Sequence, residues 1–289
     1  MTMTMPGSRY LTINGLTQHC LTWGRPTSPA VVLLHGLRSY AHTWDRLAAS
    51  LTDRYLLIAP DLRGRGDSAW DPARDYYPDT YLTDLEGLVD QLELDRFTLI
   101  GHSLGGTVSY AYAARHRERV TRLVIEDIGP GSSTHTPGAD RVLRELTDVP
   151  TRFASLDAVR DYWRRLRPGI SDEALDSRVR HTVRPASHGR WEWKLDLQGI
   201  AEARRTPAPD RSPDLWACVD ALRCPTLVIR GGRSDFLSAP TCEQLARRQP
   251  LIRWAEVPGA GHYAHDDHPD AFTALVTDFL AEPPDEERP

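Results

Sequence analysis

Ser103 lies in the run Leu99-Ile100-Gly101-His102-Ser103-Leu104-Gly105-Gly106, and its setting makes it the first candidate for chemistry in this chain. Arg96 to Ile100 is short and apolar and reads as a buried strand, while Thr107 to Arg115 reads as an alanine- and tyrosine-rich helix. A serine at the apex of the tight turn between them is held in a strained backbone geometry that pushes its hydroxyl out of the sheet. The flanking glycines leave no Cβ to collide with the neighbouring strand and helix. The helix N-terminus offers free N–H groups and the positive end of its dipole to negative charge forming at the serine. This is a nucleophile site joined to half of an oxyanion hole.

A serine hydroxyl near neutral pH needs a base, and the base needs an acid to orient it. In open α/β sheets reactive groups gather at the carboxyl ends of strands. The strand Pro225 to Gly231 runs into Gly232-Arg233-Ser234-Asp235, which makes Asp235 the candidate acid. The strand Leu251 to Val257 runs into Pro258-Gly259-Ala260-Gly261-His262, which makes His262 the candidate base. Glu126 and Asp127 also end a strand, Val120 to Glu126, and Asp127 is the alternative acid. His265 and His268 read as the solvated start of the last helix, and His35 and His102 as turn-stabilising.

The elements that must position these residues alternate in type. Arg9 to Ile13 and Thr17 to Trp23 form a hairpin at Asn14-Gly15. Strands at Ala30 to Leu34 and Tyr55 to Ala59 alternate with helices at Thr43 to Leu51 and Asp79 to Leu92. This β-α-β-α succession predicts an α/β fold with a mostly parallel sheet covered by helices on both faces. From about 130 to 213 the pattern turns helical, broken by Pro137, Pro150, Pro168, Pro185, Pro207 and Pro209. The α/β rhythm returns with helices at Ala239 to Arg248 and Asp270 to Ala281. The expected organisation is a core of residues 1–129 and 214–281, a helical cap over 130–213, and a charged, proline-rich, disordered tail over 282–289.

Composition narrows the function classes. The chain has 289 residues, 40% hydrophobic and 26% charged, with a formal net charge of −5, so nothing builds a basic footprint for nucleic acid. No apolar window reaches the length of a membrane helix. Cys20, Cys218, Cys224 and Cys242 match no zinc pattern. Met1 to Gly7 carries no signal-peptide features, so the expectation is a cytoplasmic protein with free thiols. The expected partner is a small-molecule substrate, without nucleic acid or membrane; the sequence leaves monomer and homodimer equally open.

Taken together, the Ser103 turn, the two later strand-end loops, His35-Gly36-Leu37 after an early strand and Asp61-Leu62-Arg63-Gly64-Arg65-Gly66-Asp67-Ser68 before a helix resemble the α/β-hydrolase superfamily. The likeness covers nearly all of the chain outside the cap. It implies an eight-stranded-type sheet, and oxyanion donors in the backbone N–H groups of Leu37 and Leu104. Some members of the fold carry their acid where Asp127 stands. A serine nucleophile argues against the branches that attack through a carboxylate.

The implied activity is that of a serine hydrolase, with no metal and no cofactor, cleaving a carboxylic ester, lactone or thioester of a small, partly apolar molecule. The cap is expected to set substrate choice. Arg38, His102, Trp163, Trp191, Trp193 and Phe236 are the pocket candidates, while Arg38, Tyr40 and His42 also read as solvated loop residues. Two other readings are C–C bond hydrolysis or cofactor-free oxygenation or elimination through the histidine–acid pair, and a ligand receptor with a vestigial triad. Fold alone does not choose among them.

Overall fold

The computed structural model describes residues 5–132, 136–206 and 208–283. The chain opens with β1 (Gly7–Ile13) and β2 (Leu16–Trp23), paired antiparallel. Asn14 and Gly15 both adopt positive φ, as a two-residue hairpin turn of this hand requires. There follow β3 (Ala30–Leu34), a 3-10 turn at Ala41–Trp44, α1 (Asp45–Leu51), β4 (Leu56–Pro60), α2 (Pro78–Gln91), β5 (Phe97–His102), α3 (Leu104–Arg115) and β6 (Val120–Glu126).

Next come α4 (Pro137–Thr147), β7 (Arg152–Phe153), α5 (Leu156–Leu166), α6 (Asp172–His181), β8 (Val183–Pro185), β9 (Trp191–Trp193), α7 (Leu197–Arg205) and α8 (Leu215–Ala221). The chain then returns to the main layer with β10 (Thr226–Gly231), α9 (Ala239–Arg248), β11 (Ile252–Val257), α10 (Ala264–Asp267) and α11 (Pro269–Ala281).

Eight strands form one sheet in the order β1-β2-β4-β3-β5-β6-β10-β11. Every pairing from β4 to β11 is parallel, and only the β1/β2 and β2/β4 contacts are antiparallel. Alternation along the strands splits the core in two. Val31, Leu33, Ile100 and Val124 pack against Leu47 and Leu51 of α1 and Phe272, Val276 and Phe279 of α11. Val32, Leu34, Leu99 and Val228 meet Leu85 of α2, Val108 and Tyr112 of α3 and Leu245 of α9. Strands apolar on both faces are what a parallel sheet between helices demands.

Between β6 and β10 the chain leaves the sheet. This segment is not purely helical: β7, β9 and β8 form a separate three-stranded antiparallel sheet. Trp191-Glu192-Trp193 is too short for periodicity to mark it as a strand. Pro137 begins α4 rather than breaking it, a position where a missing N–H costs nothing. Of the expected tail, residues 284–289 lie outside the described residues, as does Pro207. The four cysteines are free thiols. No described helix is long and apolar enough to cross a membrane.

The turn between β5 and α3 is tightly packed. Ser103 sits at φ 51°, ψ −114°, a strained conformation for a residue with a Cβ, worth roughly 1–3 kcal/mol. It is held by its N–H to the Glu126 carbonyl (3.0 Å) and by its carbonyl accepting Thr107 N–H (2.9 Å). A Cβ on Gly101 would stand 2.5 Å from the Gly105 carbonyl oxygen, and one on Gly105 would stand 2.2 Å from the Leu34 carbonyl oxygen. Both obstacles are backbone, so neither can step aside. Gly105→Ala is therefore expected to lower stability by roughly 2–4 kcal/mol, measured by urea denaturation. A loss under about 0.5 kcal/mol, the range of a neutral surface change, would contradict this packing.

Candidate active site

Three strand ends bring the site together. His262, in the loop after β11, points its Nε2 at Ser103 Oγ (3.0 Å) and its Nδ1 at Asp127 Oδ2 (2.7 Å). Asp127 directly follows β6, the neighbour of β5, and its N–H donates to the Ile229 carbonyl of β10 (2.8 Å). It too has positive φ, 52°, so both the serine and its acid sit at sharp exits from adjacent strands. All three side chains are buried.

The expectation that Asp235 is the acid partner is corrected by this geometry. The Asp235 carboxylate accepts Nε and Nη2 of Arg141 at 2.8 Å each, and Asp127 takes the place on His262. The loop after β10 serves the site through a different residue: Ser234 Oγ donates to Asp127 Oδ2 (2.5 Å) and Gly231 N–H donates to Asp127 Oδ1 (3.0 Å). Both acids stand just past a strand, so strand ends alone could not separate them. What separates them is the exit direction of each loop. Asp127 turns inward from the middle of the sheet. Asp235 turns outward to α4, where Gly138 N–H meets its carbonyl (3.0 Å).

Three donors converge on the Asp127 carboxylate. Burial pushes its pKa up to about 8, and the Ser234 hydroxyl and Gly231 amide offset that push only in part. His262 is pulled well below the usual imidazole range, first by burial and then by Arg141 and Arg167. The imidazole is therefore kept neutral, with its Nδ1 proton on the Asp127 side and Nε2 free to accept from Ser103. Phe236 stacks on its ring, with centroids 4.3 Å apart.

Two further buried histidines brace the site. His102 Nε2 donates to the His262 carbonyl (2.9 Å), so the residue before the serine fixes the base's backbone rather than lining a pocket. His35 Nδ1 donates to the Gly36 carbonyl, and its Nε2 accepts Leu62 N–H (3.0 Å), tying the loop that carries Leu37 to the loop after β4. A Cβ on Gly36 would lie 3.4 Å from Ser103 Cβ, which puts the Gly36–Leu37 segment against the serine. Leu104 is the first residue of α3, where a backbone N–H has no partner within the helix.

His265 departs from the solvated reading, whereas His268 is exposed. His265 is buried, with Nδ1 on Glu126 Oε2 (2.7 Å) and Nε2 against Thr43 Oγ1 (2.9 Å). Burial pulls its pKa down, but Glu126 and Asp266 outweigh that and raise it. Glu126 is thus engaged by a different histidine from Asp127. His102, Glu126 and His265 carry ligand atoms within 4.8 Å of one another, but the Glu126–His265 hydrogen bonds already occupy that cluster.

Arg38 and Tyr40 are also not solvated: they are 3% and 2% exposed. Arg38 donates to Glu145 Oε2 (3.0 Å) and Tyr162 Oη (2.7 Å). Its guanidinium lies 5.2 Å from the Trp163 ring and 5.8 Å from the Trp193 ring. Trp163 and Trp193 pack edge-to-face at 5.7 Å inside the inserted segment, and Trp191 is half-buried on β9. Trp163 and Trp193 hold Arg38 and each other, and the three line a small cavity beside Tyr40 and His181. The open cleft beside His262, about 350 Å³, is lined instead by Arg141, Arg167, Tyr263 and Asp235, among others. Arg141 and Arg167 gave no sequence signal, because arginine is common throughout this chain.

The alpha/beta hydrolase family model matches residues 31–275. The chain belongs to the alpha/beta hydrolase family. An esterase of Mycobacterium tuberculosis is 30% identical over 264 residues, covering 90% of this chain and 85% of the relative. A Bacillus subtilis relative, provisionally named 2-succinyl-6-hydroxy-2,4-cyclohexadiene-1-carboxylate synthase, is 31% identical over 260 residues, covering 89% of this chain and 92% of its own. The crystal structure of an E-2-(acetamidomethylene)succinate hydrolase superposes with a TM-score of 0.85 at 26% identity, covering 96% of this chain and all of that one. A hydrolase of the α/β type is therefore the coarse function.

Because Arg141 helps hold His262 neutral, its loss should make the base easier to protonate. Arg141→Met is expected to move the acidic limb of the kcat/KM–pH profile to higher pH, read with a neutral ester. A downward shift, or none, would contradict the assigned electrostatics.

Proposed function

We propose that this chain cleaves a carboxylic ester or lactone of a small molecule through an acyl-enzyme on Ser103, with residues 130–213 acting as a cap over the site. The observation that carries the reading is the unbroken hydrogen-bond line Ser103 Oγ–His262–Asp127, at 3.0 and 2.7 Å. In the forward step Ser103 Oγ attacks the carbonyl carbon while its proton passes to His262 Nε2. Negative charge moves to the carbonyl oxygen, where the Leu37 and Leu104 amides donate to it. As the tetrahedral species collapses, the carbon–oxygen bond to the leaving alcohol breaks, and His262 returns the proton to that oxygen. Water then repeats the sequence on the acyl-enzyme and frees Ser103. Asp127, hydrogen-bonded to Nδ1, keeps the imidazole in the tautomer that accepts from serine. The kinship with an esterase over most of both chains supports the ester-cleaving reading.

Intact mass after brief exposure to a fluorophosphonate should show one adduct, absent from Ser103→Ala. Asp127→Asn is expected to lower kcat by about 10³–10⁴ through the wrong imidazole tautomer. Asp235→Asn should cost less than about fivefold, the worth of a half-exposed ion pair. The reverse ranking of the two acids, or an unlabelled folded protein, would overturn the assignment.

A further inference from the structure

Glu145, on α4, sits at the centre of a buried cluster of charge. Its carboxylate accepts from Arg38 Nη1 (3.0 Å), Arg167 Nη2 (3.2 Å) and Arg141 Nη1 (2.7 Å). Three guanidinium groups thus share Glu145 and one further carboxylate, Asp235, which is committed to Arg141. Arg178, the next arginine nearby, is taken up by Asp266. The cluster therefore holds more positive than negative charge. It also holds unused donors: the Nε atoms of both Arg38 and Arg167 are buried without a hydrogen-bond partner. Unpaired buried guanidinium N–H groups are costly.

The cluster adjoins the reacting atoms. Arg38 immediately follows Leu37. Arg167 lies 3.5 Å over the Tyr263 ring, next to His262, and lines the same cleft. Burial pulls the Arg167 pKa down, and Arg178 and Arg141 add to that pull, while the surrounding cations hold Glu145 at about 2. An anion brought in by the substrate would relieve this imbalance.

We propose that Arg167, with Arg38 beside it, receives a carboxylate of the substrate, so that the molecule attacked by Ser103 is an anionic ester or lactone rather than a plain apolar one. The planar fork of a guanidinium suits a carboxylate, which can accept two N–H bonds in one plane. Glu145 serves as the resident counterion when the cleft is empty and remains beneath the bound anion. This inference deepens, and rests on, the reading of Ser103 as nucleophile.

The test pairs two esters that differ only in charge: mono-4-nitrophenyl glutarate and its methyl ester. Wild type should favour the anionic ester in kcat/KM by at least about 30-fold, mostly through KM, and Arg167→Met should collapse that ratio. Arg167→Lys should restore part of it. Glu145→Gln, which removes the resident counterion, should tighten inhibition by glutarate by about five- to tenfold, a gain that a merely structural role for Glu145 would not produce. Equal rates on the two esters, or a ratio untouched by Arg167→Met, would overturn the proposal. Inhibition by inorganic phosphate in preference to glutarate would also overturn it, in favour of a phosphate site. The nucleophile reading fails separately: an unlabelled Ser103 in a protein that still binds glutarate through Arg167 would sink that reading and leave the anion site standing.

Discussion

A carboxyl group with no contact to water must be paired and aimed, and much of this structure is arranged around that requirement at Asp127. Burial works against the charge. Three donors from two loops work for it: the Gly231 amide, the Ser234 hydroxyl and His262 Nδ1. None is local in sequence, because Asp127 lies more than a hundred residues from each. Only the parallel pairing of β6 with β10 and of β10 with β11 brings these loops to one edge of the sheet. Losing any one donor would leave a buried charge underpaired, which costs more than an ordinary hydrogen bond contributes.

The same economy governs the histidines. His35, His102, His262 and His265 are all buried close to the site, and each has its ring fixed by a specific partner. His35 and His102 are held neutral by burial. His265 is drawn the other way by Glu126. Two histidine–carboxylate pairs on consecutive acids, Glu126 and Asp127, therefore do different work. One joins the end of β6 to α10 and to Thr43; the other orients the candidate base.

The inserted segment meets the core through charge as well as through apolar contacts, its Val142, Leu146 and Trp163 belonging to the same buried cluster as Leu37, Leu62 and Leu104. Arg178 on α6 reaches Asp266, Arg141 on α4 reaches Asp235, and Arg38 in the core reaches Glu145. Such pairs, two of them buried and the Arg141–Asp235 pair half-exposed, contribute little net stability, but a buried one is costly to leave half-made, so they specify where the segment sits. Of the tryptophans that the sequence offered as pocket walls, Trp163 belongs to this joint, over Arg178 at 4.7 Å and over Arg38 at 5.2 Å, and with Trp193 and Arg38 it also lines a small cavity.

Local rules were enough for the elements and for two residues of the candidate site. Apolar runs of strand length, Asn14-Gly15 at a hairpin and glycines around Ser103 are short-range signals with short-range causes, and the strands and helices of the main layer fall where those signals put them. Ser103 and His262 were legible because each stands in a glycine-rich turn directly after a strand. The acid was not, because Asp127 and Asp235 satisfy the same local rule. The choice between them depends on strand order and on the direction in which each loop leaves the sheet. Nor could the sequence show that Arg38 is buried, that His265 pairs with Glu126, or that Arg141 and Arg167 share a carboxylate with Arg38. A charged side chain reads as solvated until its partner is known, and here every partner is brought from a distant part of the chain. The sequence by itself thus determined the layers, the strained Ser103 turn and the loop that carries His262. Tertiary structure alone decided which carboxylate meets His262 and the charge lining the cleft, because both are set by contacts between residues that only the assembled sheet makes neighbours.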